Sequence, residues 1–108
     1  MERDRPHGWH LVRFIEHLDA WVERESPDQD TRLRVVDWIM SRHDDPYTGV
    51  IREPGSANLW YGRIPGTRDA DRTIVVCSYY VFDSVKIVRC NRIGRPGHRR
   101  GAAPPPQR

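Results

Sequence analysis

Asn58-Leu59-Trp60-Tyr61-Gly62-Arg63-Ile64, then Arg72 to Phe82, then Val85 to Arg92, read as three β-strands in a meander. The first run stops at Pro65-Gly66, a turn-forming pair. The second holds Ile74, Val75, Val76, Cys77, Tyr79, Tyr80 and Val81, the residue types that suit a pleated, half-buried surface. Only Asp83-Ser84 separates it from the third, which predicts a hairpin. A two-residue turn there pairs Phe82 with Val85, and hence Cys77 with Cys90 at a non-hydrogen-bonded site, where side chains lie closest. A disulfide between them is conceivable, but nothing in the chain points to an oxidising compartment, so free, half-buried thiols are expected. In this register Cys77, Tyr79, Val81, Val88 and Cys90 share one face. Ser78, Tyr80, Ile87 and Arg89 share the other.

Before the meander the period changes from two to 3.6. Leu11, Phe14, Ile15, Leu18, Trp21 and Val22 form the stripe of an amphipathic helix ending near Glu25. Its start is open, because Trp9 to Phe14 can also form a short strand leading into it. Ser26-Pro27-Asp28-Gln29 predicts a second helix start, with Ser26 as cap, Pro27 in the first turn and Gln29 completing a capping box. That helix runs to about His43, with Leu33, Val36, Ile39 and Met40 as its buried stripe. So short a link packs the two helices antiparallel. Pro46 and Gly49 break the second helix, and Val50 to Ala57 reads as a connection with a few extended residues.

The predicted class is therefore α+β: an N-terminal helical hairpin packed on a three- to four-stranded antiparallel meander. At 108 residues the chain is expected to be one domain. The expected organisation is a frayed N-terminus over 1–8, a single domain over 9–95 and a disordered, basic, Pro-rich tail over 96–108. No apolar run approaches a membrane span, and Met1 to Pro6 leads into no secretory apolar region, so a cytoplasmic location is expected.

Charge divides the chain. Residues 1–53 carry 8 basic and 12 acidic side chains, whereas residues 54–108 carry 10 basic and 3 acidic. A basic sheet half attracts anions, nucleic acid being the commonest large one. Lys86 is the one lysine, so the cationic chemistry is that of arginine, which never titrates and grips phosphate bidentately. Arg63, Arg72, Arg89 and Arg92 sit on or at the ends of otherwise apolar strands. Such a side chain must reach solvent, a carboxylate or an anion. A basic sheet with tyrosines can hold RNA, Arg on phosphate and Tyr80 or Tyr61 against a base. The same pattern also fits a half-exposed face over which Tyr and Arg stems lie flat.

There is no Gly-rich phosphate loop, no nucleophile elbow and no paired metal-ligand spacing, so neither a metal nor a small-molecule cofactor is expected. RNA cleavage needs neither. The 2′-OH of the RNA is the nucleophile, arginines offset charge growing on the phosphate, and a His or Tyr moves protons.

Taken in order, a helical hairpin, a proline-marked loop, Leu-Trp-Tyr-Gly-Arg-Ile, Asp-Arg-Thr-Ile-Val-Val-Cys-Ser-Tyr-Tyr-Val and Lys-Ile-Val-Arg-Cys-Asn-Arg-Ile resemble the RelE/ParE toxin superfamily over about residues 9–95. The resemblance favours the strand reading of Trp9 to Phe14. It implies mRNA cleavage at the ribosome and a small antitoxin protein wrapped over the sheet. It marks Arg63, Arg72 and Arg92 or Arg95 as matching the family's basic positions, with Arg89 beside them and His98 as the proton-transfer candidate. The ParE branch, which acts on gyrase, implies instead a non-catalytic module of the same fold, with Trp60 and Tyr61 as interface anchors.

Overall fold

A computed structural model describes residues 8–96. The N-terminal segment before Gly8 and the tail after Pro96, His98 included, lie outside the described residues. The chain forms β1 (His10–Val12), α1 (Phe14–Glu25), α2 (Gln29–Ser41), β2 (Ile51–Arg52), β3 (Leu59–Arg63), β4 (Val76–Phe82) and β5 (Ile87–Gly94). The strands make one five-stranded sheet in the order β1-β5-β4-β3-β2. The α+β class and the meander are as expected. The sheet differs in being mixed, because Trp9 to Phe14 does supply a strand and β1 lies parallel to β5.

The helices cover one face of the sheet. Phe14 and Trp21 of α1 and Val35 and Ile39 of α2 are buried with Cys77, Tyr79, Val81, Val88, Cys90 and Ile93. Gly62 fits the middle of β3 because a Cβ there would come within 2.8 Å of both Trp38 and Val50. Its absence lets α2 seat closely and leaves Tyr61 and Arg63 on the opposite face.

Three local expectations are corrected. First, Asp28 rather than Ser26 caps α2, accepting a 2.8 Å hydrogen bond from the Thr31 N–H. Ser26 is already engaged as the left-handed end of α1, its N–H donating to the Val22 carbonyl. Second, α2 is rotated. Leu33 and Met40 are 55% and 59% exposed, and the inward stripe is Val35, Trp38, Ile39 and Arg42. Both stripes have helical spacing, but this one buries the large Trp38 ring, over which the Arg42 guanidinium lies at 4.0 Å. On α1, Ile15 likewise faces outward, 72% exposed.

Third, the β4–β5 hairpin does not turn at two residues. Asp83–Val85 forms a 3-10 turn closed by Lys86 in the left-handed region, and Phe82 pairs with Ile87. Asp-Ser lacks the readiness for positive φ that a two-residue turn demands. This slip of two residues preserves the faces, since side chains alternate with period two. A bulge follows: Tyr79 pairs with Cys90 and Ser78 with Arg92, so Asn91 is extra, and Cys77 pairs with Ile93. Cys77 and Cys90 are free thiols, fully buried rather than half-buried. Burial pushes the Cys77 thiol well up, with the Cys90 thiol beside it adding to the effect.

One cation is buried in this core. Arg42, 4% exposed, donates to the Thr48 carbonyl at 2.8 Å and to the Tyr79 hydroxyl at 3.2 Å. The Tyr79 hydroxyl in turn donates to the Pro46 carbonyl. The hydroxyl thus ties α2, the following loop and the central strand together. Burial pushes the Tyr79 phenol up to about 12, against the partial offset of Arg42. A folded-state value above the unfolded one means that this stability is complete below about pH 10 and is lost as pH rises toward the folded value. Denaturant titrations from about pH 9 to about pH 11 should therefore show stability falling in the wild type, with that component missing in Tyr79→Phe. At neutral pH the same variant should be less stable by about 1–3 kcal/mol, because Arg42 keeps its charge and loses an acceptor.

Candidate nucleic-acid interface

The bulge brings Arg92 to the sheet face that the described residues leave uncovered. Arg89 and Arg92 are three residues apart, and an unbroken strand would aim them to opposite sides. With Asn91 inserted, Cys90 and Ile93 both stay in the core while Arg89 and Arg92 are both exposed. Asn91 remains on the outer side, donating from its amide to the Ser78 hydroxyl at 2.9 Å. Register places Arg92 beside Ser78, Ser78 beside Tyr61, and Arg63 beside Val76, so these side chains share one face.

On that face lies a hollow of about 780 Å³, walled in part by Tyr61, Arg63, Arg68, Arg72, Ser78 and Arg92. Glu53 is the carboxylate on its wall. A larger hollow, about 920 Å³, lies on the helix side among Leu11, Phe14, Ile15, Ile39 and Met40. Its lining is mostly apolar, and of its basic side chains Arg13 stands 3.6 Å from Glu16 and His43 3.5 Å from Asp44, so size does not identify the site here. Among the described residues no three His, Cys, Asp or Glu side chains gather as a metal site requires.

Of the expected site residues, the fold brings Arg63, Arg72, Arg92 and Tyr61 to one cavity. Arg89 and Tyr80, paired across β4 and β5, share the face but stand beyond the cavity wall. Among the described residues, neither Arg63, Arg72 nor Arg89 takes part in an ion pair. Arg68 was not anticipated. It lies in the β3–β4 loop and donates to the Arg72 carbonyl at 2.9 Å, which fixes its direction. Arg72 is in the left-handed region at φ 66°, a conformation uncommon for arginine. Trp60, expected as an interface anchor, instead packs toward the core, with Tyr47 edge-on at 5.0 Å.

No protein-family model matches the sequence, and no match is found among curated proteins. Among solved structures the chain superposes on a double Arg-to-Ala mutant of the E. coli toxin RelE in its free state. The TM-score is 0.57 at 12% identity, over 81% of this chain and 82% of that one. The fold is RelE-like. At that identity the likeness speaks for the backbone arrangement alone.

Within this RelE-like frame, Arg95 has a different place from the RNA contact expected of it. Its side chain is 11% exposed, its Nε lying 3.6 Å from Asp69 and 3.9 Å from Glu25. Its NH1 donates to the Thr67 carbonyl at 2.7 Å and also to that of Thr73. Both carbonyls belong to the β3–β4 loop that carries Arg68 and Arg72. Asp69 binds the same loop from within, its carboxylate accepting from the backbone N–H groups of Asp71 and Thr73 at 3.0 Å. Desolvation alone would raise the Asp69 carboxyl, but the Thr73 bonds and the Arg95 charge outweigh it and hold it below the ordinary value. Arg95 is thus a clamp on the loop. Arg95→Ala should cost roughly 1–3 kcal/mol in chemical denaturation, because it takes the donor from the Thr67 and Thr73 carbonyls and removes a cation from beside Glu25 and Asp69. Arg95→Lys should recover only part of that loss, since an ammonium cannot reproduce the planar fork.

Proposed function

We propose that the chain is a toxin-like endoribonuclease of a toxin–antitoxin pair, cleaving mRNA, at the ribosome or free, in the cytoplasm. One observation carries this reading: Arg63, Arg68, Arg72 and Arg92, from two strands and a loop, line one hollow with Tyr61 on an uncovered sheet face. A phosphodiester is the substrate group that such an arrangement fits. As the RNA 2′-oxygen attacks the adjacent phosphorus, negative charge grows on the phosphoryl oxygens, and guanidinium donors held in place stabilise it. The 2′-OH gives its proton to a base, the P–O5′ bond breaks, and the leaving 5′-oxygen takes a proton, leaving a cyclic phosphate. Glu53 can accept the first proton and Tyr61 can give the second. His98 remains a further proton-transfer candidate.

The likeness to the structure of the E. coli toxin RelE supports the same reading, as does the basic charge of the sheet half. An antitoxin laid over the open face would close the cavity. The alternative is a non-catalytic binding module of this fold, and the lack of histidine among the described cavity residues favours it. Expression in growing bacteria, followed by primer-extension mapping of mRNA ends, separates the two. Growth arrest with new mRNA ends is expected for the wild type. Arg63→Ala and Arg72→Ala should each slow cleavage of purified mRNA by about 10²–10³-fold without lowering the melting temperature. Arrest without RNA cleavage would leave the binding module as the better account.

A further inference from the structure

The uncovered face continues past the cavity. Beyond Ser78, β4 presents Tyr80 and then Phe82 on the same side, about 7 and 13 Å farther along the strand. Both rings are half-buried and so present a surface to solvent. They lie near-parallel, 27° apart with centroids at 6.4 Å. Across the β4–β5 ladder, Arg89 sits opposite Tyr80 and Ile87 opposite Phe82, and Arg89 is exposed and without an ion pair among the described residues. The core gains nothing from this arrangement, since its aromatic residues are Trp9, Phe14, Trp21 and Tyr79 on the other side.

We infer that Tyr80 and Phe82, with Arg89 beside them, form a stacking platform for an unpaired RNA base flanking the phosphate held in the cavity. The inference rests on the RNA reading above and deepens it, because it makes single-stranded RNA the substrate class. A base inside a duplex already has both faces covered and cannot lie flat on these rings. Parallel aromatic faces next to a guanidinium are the recurrent means of holding successive unpaired nucleotides, the ring taking the base and the cation the phosphate. RNA is favoured over a protein occupant because the aromatic pair is continuous with the four cavity arginines. Between Val76 and Phe82 on β4 and along β5, no carboxylate interrupts that face.

The test is fluorescence anisotropy with a short labelled single-stranded RNA, and with the same RNA annealed to its complement, at several salt concentrations. Phe82→Leu keeps apolar bulk and loses the π-face, and it should weaken single-strand binding about tenfold with no change in salt slope. Phe82→Trp should bind as the wild type does, and matched melting temperatures will show that both variants are folded. Arg63→Ala should instead reduce the salt slope by about one for either RNA. Duplex affinity should be unchanged by Phe82→Leu. If Phe82→Leu binds single strands like the wild type while Arg63→Ala weakens them, the platform is refuted and the cavity reading stands, with a protein as the better occupant of this patch. If the wild type binds neither RNA, the proposed function falls with it.

Discussion

The meeting of Arg92 with Arg63 and Tyr61 on the outer surface of this sheet depends on one extra residue in its central ladder. Strand β5 must supply Val88, Cys90 and Ile93 to the core, and these positions cannot all face one way in an unbroken strand. The bulge at Asn91 resolves the conflict by resetting the alternation between Cys90 and Ile93. The same reset turns Arg92 outward to join Arg89. Burying either guanidinium against Trp21 and Tyr79 without a partner would cost several kcal/mol. Apolar and charged positions therefore demand the same irregularity, one from each side of the sheet.

The arginines divide by what surrounds them rather than by type. Arg42 is dissolved in backbone carbonyls, a phenol and an indole face, with Asp45 acting on the region only through longer-range charge. Arg95 has two carboxylates and two loop carbonyls. These two hold the helix end and the β3–β4 loop in place, with most of each guanidinium turned to protein partners. Arg63 and Arg72 stand at the rim of the hollow with no acid among the described residues close enough to pair with, which leaves them open to a ligand phosphate. A side chain that stabilises the fold and one that can bind are chemically the same group here. The carbonyls, phenol and indole around Arg42 and the carboxylates Glu25 and Asp69 beside Arg95 make the difference.

Much of the architecture could be read from residue pattern. The β-prone run through Ile74 to Val81 located the central strand, and alternation assigned both faces correctly even though the turn was two residues too short. That success follows from parity, which an even slip does not disturb. The bulge was not legible because nothing in Cys-Asn-Arg announces an unpaired residue. Its traces were the incompatible spacings of Arg89 with Arg92 and of Cys90 with Ile93. The rotation of α2 escaped notice because two apolar stripes overlap on it, and the choice between them is made by Trp38 packing on the sheet. Arg95 was misplaced because its partners, Glu25 and Asp69, are remote in sequence. No local pattern reports a charge pair closed over 70 residues. Arg68 was passed over for the converse reason: it sits in a polar loop where an arginine looks unremarkable until Arg95 pins that loop against the sheet.

The pairing of β1 with β5 has a consequence in time. The first strand of the sheet finds its neighbour only when the last strand exists, and α1 likewise packs on residues near the far end of the chain. Sheets closed by such distant pairs assemble slowly, since the intervening loop must lose its freedom before any contact rewards it. A nascent chain still lacking its final strand has neither the floor beneath α1 nor the fourth cavity arginine. The hollow thus takes shape only once β5 has been made, together with the core that the same strand completes.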